Sequence, residues 1–334
     1  MSIDYAKIKL PPKIRMDCYR MALYPILKYY DCDPNLLLIA KNAMIRYDKK
    51  LICEEEYLIS IGDLLRDFNL HPTWISPSDF DDIVNCVRDA IDNNGFAICF
   101  LDVFYYSLFR AAYKNIHSVH AIPIYGYDDE KKIFYSIDSD YLESFERIYV
   151  EVPYGDIINC IMGYSKMKAS PAIQIIKRDD VKFNALNNVK YVKKVYISLY
   201  NENVHLAHDV CCKYMDEMEM LCDYIFRCAS SEQEMLTFSA QSYPCIDSFI
   251  NARMLEYYGI PYVFKNTEYL QELDMLIIDK CNFIRSVVYR AVYTKEYRRK
   301  SFEKLYDYFR TIVLIEKKRL DFINTFNWNN NVKY

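Results

Sequence analysis

From Asp17 to Tyr30 the residues Leu23, Ile26, Leu27 and Tyr30 recur at three- and four-residue steps, which predicts a helix with one buried face. Asp17 is its expected N-cap, which puts Cys18 in the first turn, and Pro25 is expected to kink it or begin a second segment. Asp33-Pro34 reads as a cap followed by proline at the first helical position, opening a helix to about Arg46. A short helix over 61–69 and a strand over 71–76 follow, and then a helix that Ser78-Asp79 starts and Gly95 closes. From there the pattern turns to strands, at 96–103, 119–127 and 133–138, the last two joined by the polar loop 128–132. Pro123 within the second of these predicts an edge or a bulge. Helices first and strands afterwards imply an α+β domain with an antiparallel sheet.

Beyond Ala169 the character changes. Residues 172–176 read as one more strand, and helical patterns dominate thereafter, clearest over 204–227, 248–258, 269–290 and 295–326. The expected division is a catalytic domain over 1–168 and a mainly helical subdomain over 169–334 that covers the active site.

Length and composition narrow the class. With 334 residues and 52% hydrophobic content the chain has enough apolar surface for two domains with a core. Six glycines are few, and no Gly-rich phosphate cradle occurs among them. The longest apolar runs, 36–40 and 96–101, are too short to span a bilayer, and the first residues lack a signal-peptide core, so a cytoplasmic location is expected. The 12 scattered cysteines fit a reducing compartment. A net charge of −4 gives no nucleic-acid footprint. Residues 1–168 hold 19 Lys+Arg against 25 Asp+Glu, a balance of −6, so an acidic cleft there would favour a cationic small molecule.

The candidate chemistry lies in three places. Cys18 opens the first helix, His120 enters one strand, and Asp138 leaves the next. Nucleophilic attack needs a thiolate, which a helix N-terminus and a nearby imidazolium both favour. A carboxylate holds the imidazole in the correct tautomer and stabilises its charged form, and the imidazole moves the proton. Asp138 has a plainer alternative, capping a turn with Ser139 and Asp140. His117 and His120, three apart on a strand, would point to opposite faces, so His117 is read as structural or substrate-facing. Asp128 and Asp129 are read as hairpin polar residues.

Asp17-Cys18-Tyr19-Arg20-Met21-Ala22-Leu23 resembles the nucleophile helix of papain-like proteins from bacterial biosynthetic clusters. His120 with Gly126-Tyr127-Asp128 resembles the histidine strand of that group and of bacteriocin-processing peptidases, and Asp138 falls where their acidic residue is expected. Across roughly residues 15–165 the chain resembles the butirosin-biosynthesis-H-like acyltransferases. The resemblance implies a papain-like cysteine protease fold, with Cys18, His120 and Asp138 as catalytic residues. It further implies amide-forming transfer of an acyl chain from an acyl or peptidyl carrier protein to a small-molecule amine. The carrier's phosphopantetheine arm would present the substrate, with no intrinsic cofactor and no metal. Papain-like peptidases place a glutamine upstream of the cysteine, and residues 1–17 contain none. That departure weakens a peptidase reading more than a transferase one.

Two rivals stand beside this expectation: a cysteine peptidase or thioesterase using the same residues, and a non-catalytic binding protein of the same fold. His205, His208, Cys211 and Cys212 have zinc-ligand chemistry but fit no common zinc spacing. Met215, Met218 and Met220 with Leu221 read as helix core. The basic clusters 295–300 and 317–319 read as solvated faces, or as a docking surface for an acidic carrier protein.

Overall fold

The computed structural model describes residues 8, 10, 17–39, 41–47, 51–57, 60–76, 80–93, 95–110, 112–139, 147–168, 170–178, 215–327, 329–331 and 333. Contacts divide the chain into two units that are discontinuous in sequence, residues 1–37 with 60–188, and residues 38–59 with 189–334.

In the first unit, helix α1 (Cys18–Tyr29) starts where the Asp17 carboxylate accepts the Arg20 N–H at 2.9 Å. Pro25 lies inside α1 without ending it. Tyr19 anchors the first turn: its ring packs on Phe100 at 5.5 Å and its hydroxyl donates to Gln174 at 2.8 Å. Helices α2 (Ile61–Asp67) and α3 (Phe80–Asp92) follow on either side of strand β3 (Leu70–Ile75).

Strands β4 (Phe96–Asp102), β5 (Val119–Asp128), β6 (Ile133–Ser139), β7 (Arg147–Pro153) and β8 (Ile173–Arg178) complete an antiparallel six-stranded sheet with β3, in the order β3-β8-β4-β5-β6-β7. The fold class is α+β, as the order of elements implied. Strand β8 belongs to this sheet although it lies beyond residue 168. Pro123 is not on an edge, because β5 runs between β4 and β6. The bulge is real: the β5–β6 register shifts between Ile124 and Gly126, and the Ser136 hydroxyl donates to the Pro123 carbonyl at 2.7 Å.

Helix α4 (Tyr154–Lys168) packs against β4 and shows why Gly163 is glycine. A Cβ at that position would lie 2.6 Å from the Tyr105 ring and 3.0 Å from the Asp102 Cβ.

The helix expected to run on from Pro34 stops early. Asp33 does accept the Asn35 N–H at 3.0 Å, but Pro34–Ile39 form only a six-residue 3-10 segment. The chain then enters β1 (Lys41–Tyr47), which pairs antiparallel with β2 (Leu51–Tyr57). Strand formers at Met44-Ile45 and Leu51-Ile52 suit that outcome, and the hairpin clusters with the second unit, where it packs on α6 (Glu232–Val263).

The other described residues of that unit are mainly helical: residues 215–228 (α5), then α6, α7 (Glu268–Tyr293) and α8 (Arg299–Thr325). Met218, Leu221, Ile225, Phe249, Ile277 and Phe302 lie in its core. Met220 does not share the core expected for it, being 56% exposed. Arg319 departs from the solvated face expected over 317–319, because it is buried in an ion network. There Arg319 meets Glu256 at 2.6 Å and Asp274 at 2.9 Å, while Arg253 meets Glu316 at 2.8 Å and also pairs with Glu256. Two arginines thus face three buried carboxylates. Burial, aided by the Glu256 charge, pushes the Asp274 carboxyl up to about 7 against the opposing pull of Arg319 and Arg253. Among the described residues, no helix is long and apolar enough to cross a membrane.

Candidate active site

Cys18 is the first residue of α1 and is half-buried. His120 is the second residue of β5, and Asp138 is the sixth of β6. The Asp138 Oδ1 lies 2.9 Å from His120 Nε2, and the remaining ring nitrogen is left for Cys18, whose side chain hydrogen-bonds the same imidazole. The three residues picked out in sequence are therefore in contact through the His120 ring.

The electrostatics follow from this line. Burial alone would push the His120 ring down, but the Asp138 charge and hydrogen bond, followed by those of Cys18, raise it to about 10. The Asp138 carboxyl is pushed up by burial too, yet His120, Arg147 and the Ser139 N–H together hold it below the usual carboxylate range. His120 is thus held as an imidazolium at neutral pH. The Tyr106 ring packs against it at 6.2 Å.

Burial pushes up the thiols of Cys32, Cys86, Cys99, Cys160, Cys222, Cys228 and Cys281, which suits small hydrophobes better than nucleophiles.

The sequence reading missed Arg147. It opens β7 opposite Ser139 and places Nη1 3.4 Å from Asp138 Oδ1. His117 also has a partner that spacing did not reveal, since its Nδ1 lies 2.7 Å from the buried Asp102. The signal that could have found it is a charged residue ending a wholly apolar strand, because such a group needs a partner when buried. Asp128 accepts the N–H groups of Glu130 and Lys131, in keeping with a hairpin role. Arg298 pairs with Glu296 at 3.1 Å and Arg299 with Glu303 at 2.9 Å. His205, His208, Cys211 and Cys212 lie outside the described residues, among which no cluster of three His, Cys, Asp or Glu could hold a metal.

No family model matches the chain. It is similar to a transferase of Niallia circulans, 30% identical over 99 residues, which cover 29% of this chain and 32% of that protein. That protein is named for moving 4-(gamma-L-glutamylamino)-(S)-2-hydroxybutanoate from the BtrI acyl-carrier protein to ribostamycin. The matched stretch spans about a third of the relative's own length.

Proposed function

We propose that this chain is an amide-forming acyl or peptidyl transferase of papain-like fold, related to the butirosin-biosynthesis-H-like group. Its donor would be an acyl chain held as a thioester on a carrier-protein phosphopantetheine arm, and its acceptor a small amine or diamine. The observation that carries this reading is the His120 ring, hydrogen-bonded by both the Cys18 side chain and the Asp138 carboxylate. The carrier-linked donor named for the Niallia circulans transferase supports the substrate class.

In this mechanism the Cys18 thiolate attacks the thioester carbonyl and a C–S bond forms. The tetrahedral oxygen draws on the Cys18 N–H at the open end of α1, since a helix N-terminus leaves such donors unpaired. The carrier's C–S bond then breaks, and His120 gives its proton to the departing thiolate. The amine attacks acyl-Cys18, returns a proton to His120 and leaves with the acyl group as an amide. Asp138 keeps the ring in line throughout. Such chemistry would serve antibiotic or other nonribosomal peptide biosynthesis.

Intact-mass spectrometry tests the reading with acyl-loaded carrier proteins, with and without a diamine. The expected result is an adduct on Cys18 that clears to an amide when amine is added, and that Cys18→Ala does not form. Release of free acid in the presence of amine would favour a thioesterase or peptidase. A Cys18 that forms no adduct and reacts with iodoacetamide no faster than other accessible thiols would indicate a binding protein.

A further inference from the structure

Two histidines reach the same end of the sheet through β5, and each meets a carboxylate from a different neighbouring strand. His120 meets Asp138 on β6, and His117, just ahead of β5, meets Asp102 at the end of β4. The second pair is as tightly built as the first. Asp102 is buried, accepts the Phe104 N–H at 3.1 Å on one oxygen and engages His117 Nδ1 at 2.7 Å on the other. The Phe104 ring stacks flat on the imidazole at 4.2 Å with an 8° interplanar angle, and Tyr105 meets it edge-on. Tyr105 in turn rests on α4 at Gly163.

The imidazole is therefore held at Nδ1 and across one face, while its side chain remains 56% exposed. Its only hydrogen bond among the described residues is the one at Nδ1. A carboxylate on Nδ1 favours the tautomer whose Nε2 lone pair is open. His117 lies three positions before His120, at most about 11 Å along the chain.

Proton accounting gives this second imidazole a task. In the transfer mechanism His120 handles one proton, which it gives to the departing carrier thiol and recovers from the attacking nitrogen. An alkylamine arrives as an ammonium and has to lose another proton before it has a lone pair. We propose that His117 is the base that removes this proton, with Asp102 as its positioning residue, an assignment that rests on the transferase reading above. The ammonium N–H bond breaks, its electrons remain on nitrogen, and the proton moves to His117 Nε2 and from there to water. The free amine then forms the C–N bond as the acyl–Cys18 bond breaks. The net products are an amide, the carrier thiol and one released proton.

The test uses the full chain, an N-acetylcysteamine thioester as donor, and putrescine or hydroxylamine as acceptor. Intact mass follows loading and clearing of acyl-Cys18 separately. His117→Gln is expected to load normally but to clear with putrescine about 10²-fold more slowly near neutral pH, the usual worth of a positioned base. The deficit should shrink as the pH approaches the ammonium's own pKa, about 10. It should vanish with hydroxylamine, which is already unprotonated at neutral pH. Asp102→Asn should show the same amine- and pH-dependent pattern. Clearing by His117→Gln at the parent rate with putrescine would overturn the assignment. So would equal slowing with both amines at every pH, because that marks a structural clip. If the parent chain never loads, the transferase reading falls and takes this assignment with it.

Discussion

Replacing Asp138 by asparagine keeps the shape of the side chain and removes the charge that sits 2.9 Å from the His120 ring. The consequence can be scaled from the ring itself. His120 stands at about 10 against an ordinary 6.5, although burial alone would put it below that. At about 1.4 kcal/mol per pH unit, that difference amounts to ~5 kcal/mol net, which Asp138 and Cys18 supply together over the opposing cost of burial. Asp138 leads the groups that raise the ring, so most of this should go with it. Arg147, left facing an amide, would further disfavour a cation nearby. Taking ~3–4 kcal/mol as the loss, the ring should drop by about two to three pH units, and its protonated-to-neutral ratio at any given pH should fall by roughly two to three orders of magnitude. Nuclear magnetic resonance of nitrogen-labelled histidine would follow the ring, with His120→Gln used to assign its signal. In the parent chain the ring should stay protonated well above neutrality; in Asp138→Asn it should titrate close to the ordinary imidazole range. Iodoacetamide labelling of Cys18 near neutral pH should slow in parallel. An unchanged ring titration in the variant would refute the electrostatic account of the site. The pair also has a stability signature. The His120 contribution is complete below the ordinary imidazole range and is lost as pH rises through about 10. The Asp138 contribution is present above the ordinary carboxylate range and is lost as pH falls through its lowered value.

In the helical unit the sign is opposite for Asp274, whose carboxyl is raised to about 7, so stability should fall as pH climbs from the ordinary carboxylate range to neutrality. Asp274→Asn leaves two arginines facing two carboxylates and should flatten that slope, with a gain of up to ~3–4 kcal/mol above neutrality and none near pH 4. Urea unfolding followed by circular dichroism would measure it, and parallel pH profiles for both chains would count against it. Gly163→Ala should destabilise the first unit by ~1–3 kcal/mol, because its new methyl meets Tyr105 and Asp102. A melting temperature unchanged from the parent would show that the ring gives way freely.

Much of the site was legible because its signals are local. Asp17 caps the turn that carries Cys18 through a bond three residues long, and a run such as Ile133-Phe134-Tyr135 makes a strand wherever it is placed. The contact of His120 with Asp138 followed from a hairpin whose polar loop was plain in the sequence. Arg147 was not recognised although Ile148, Val150 and Val152 alternate along the mostly exposed β7, because nothing in that pattern says which carboxylate the cation ahead of it will meet. Strand β1 of the β1–β2 hairpin was read as helix for a different reason. Asp33-Pro34 is a sound helix start, and what overrode it is packing against α6, encoded far along the chain. The arginine at 319 looked like one of three surface cations until the carboxylates of three separate positions gathered around it.

That hairpin also orders events during synthesis. Strands β1 and β2 leave the ribosome roughly 175 residues before α6 begins, about 10–35 s of translation at ~5–20 residues per second. A two-stranded ribbon alone is marginal in water, and its unpaired edges are templates for other chains. The nascent protein therefore makes this open-edged ribbon early and packs it on α6 late, so its yield should depend on holdase chaperones and on slow translation more than its finished stability would suggest.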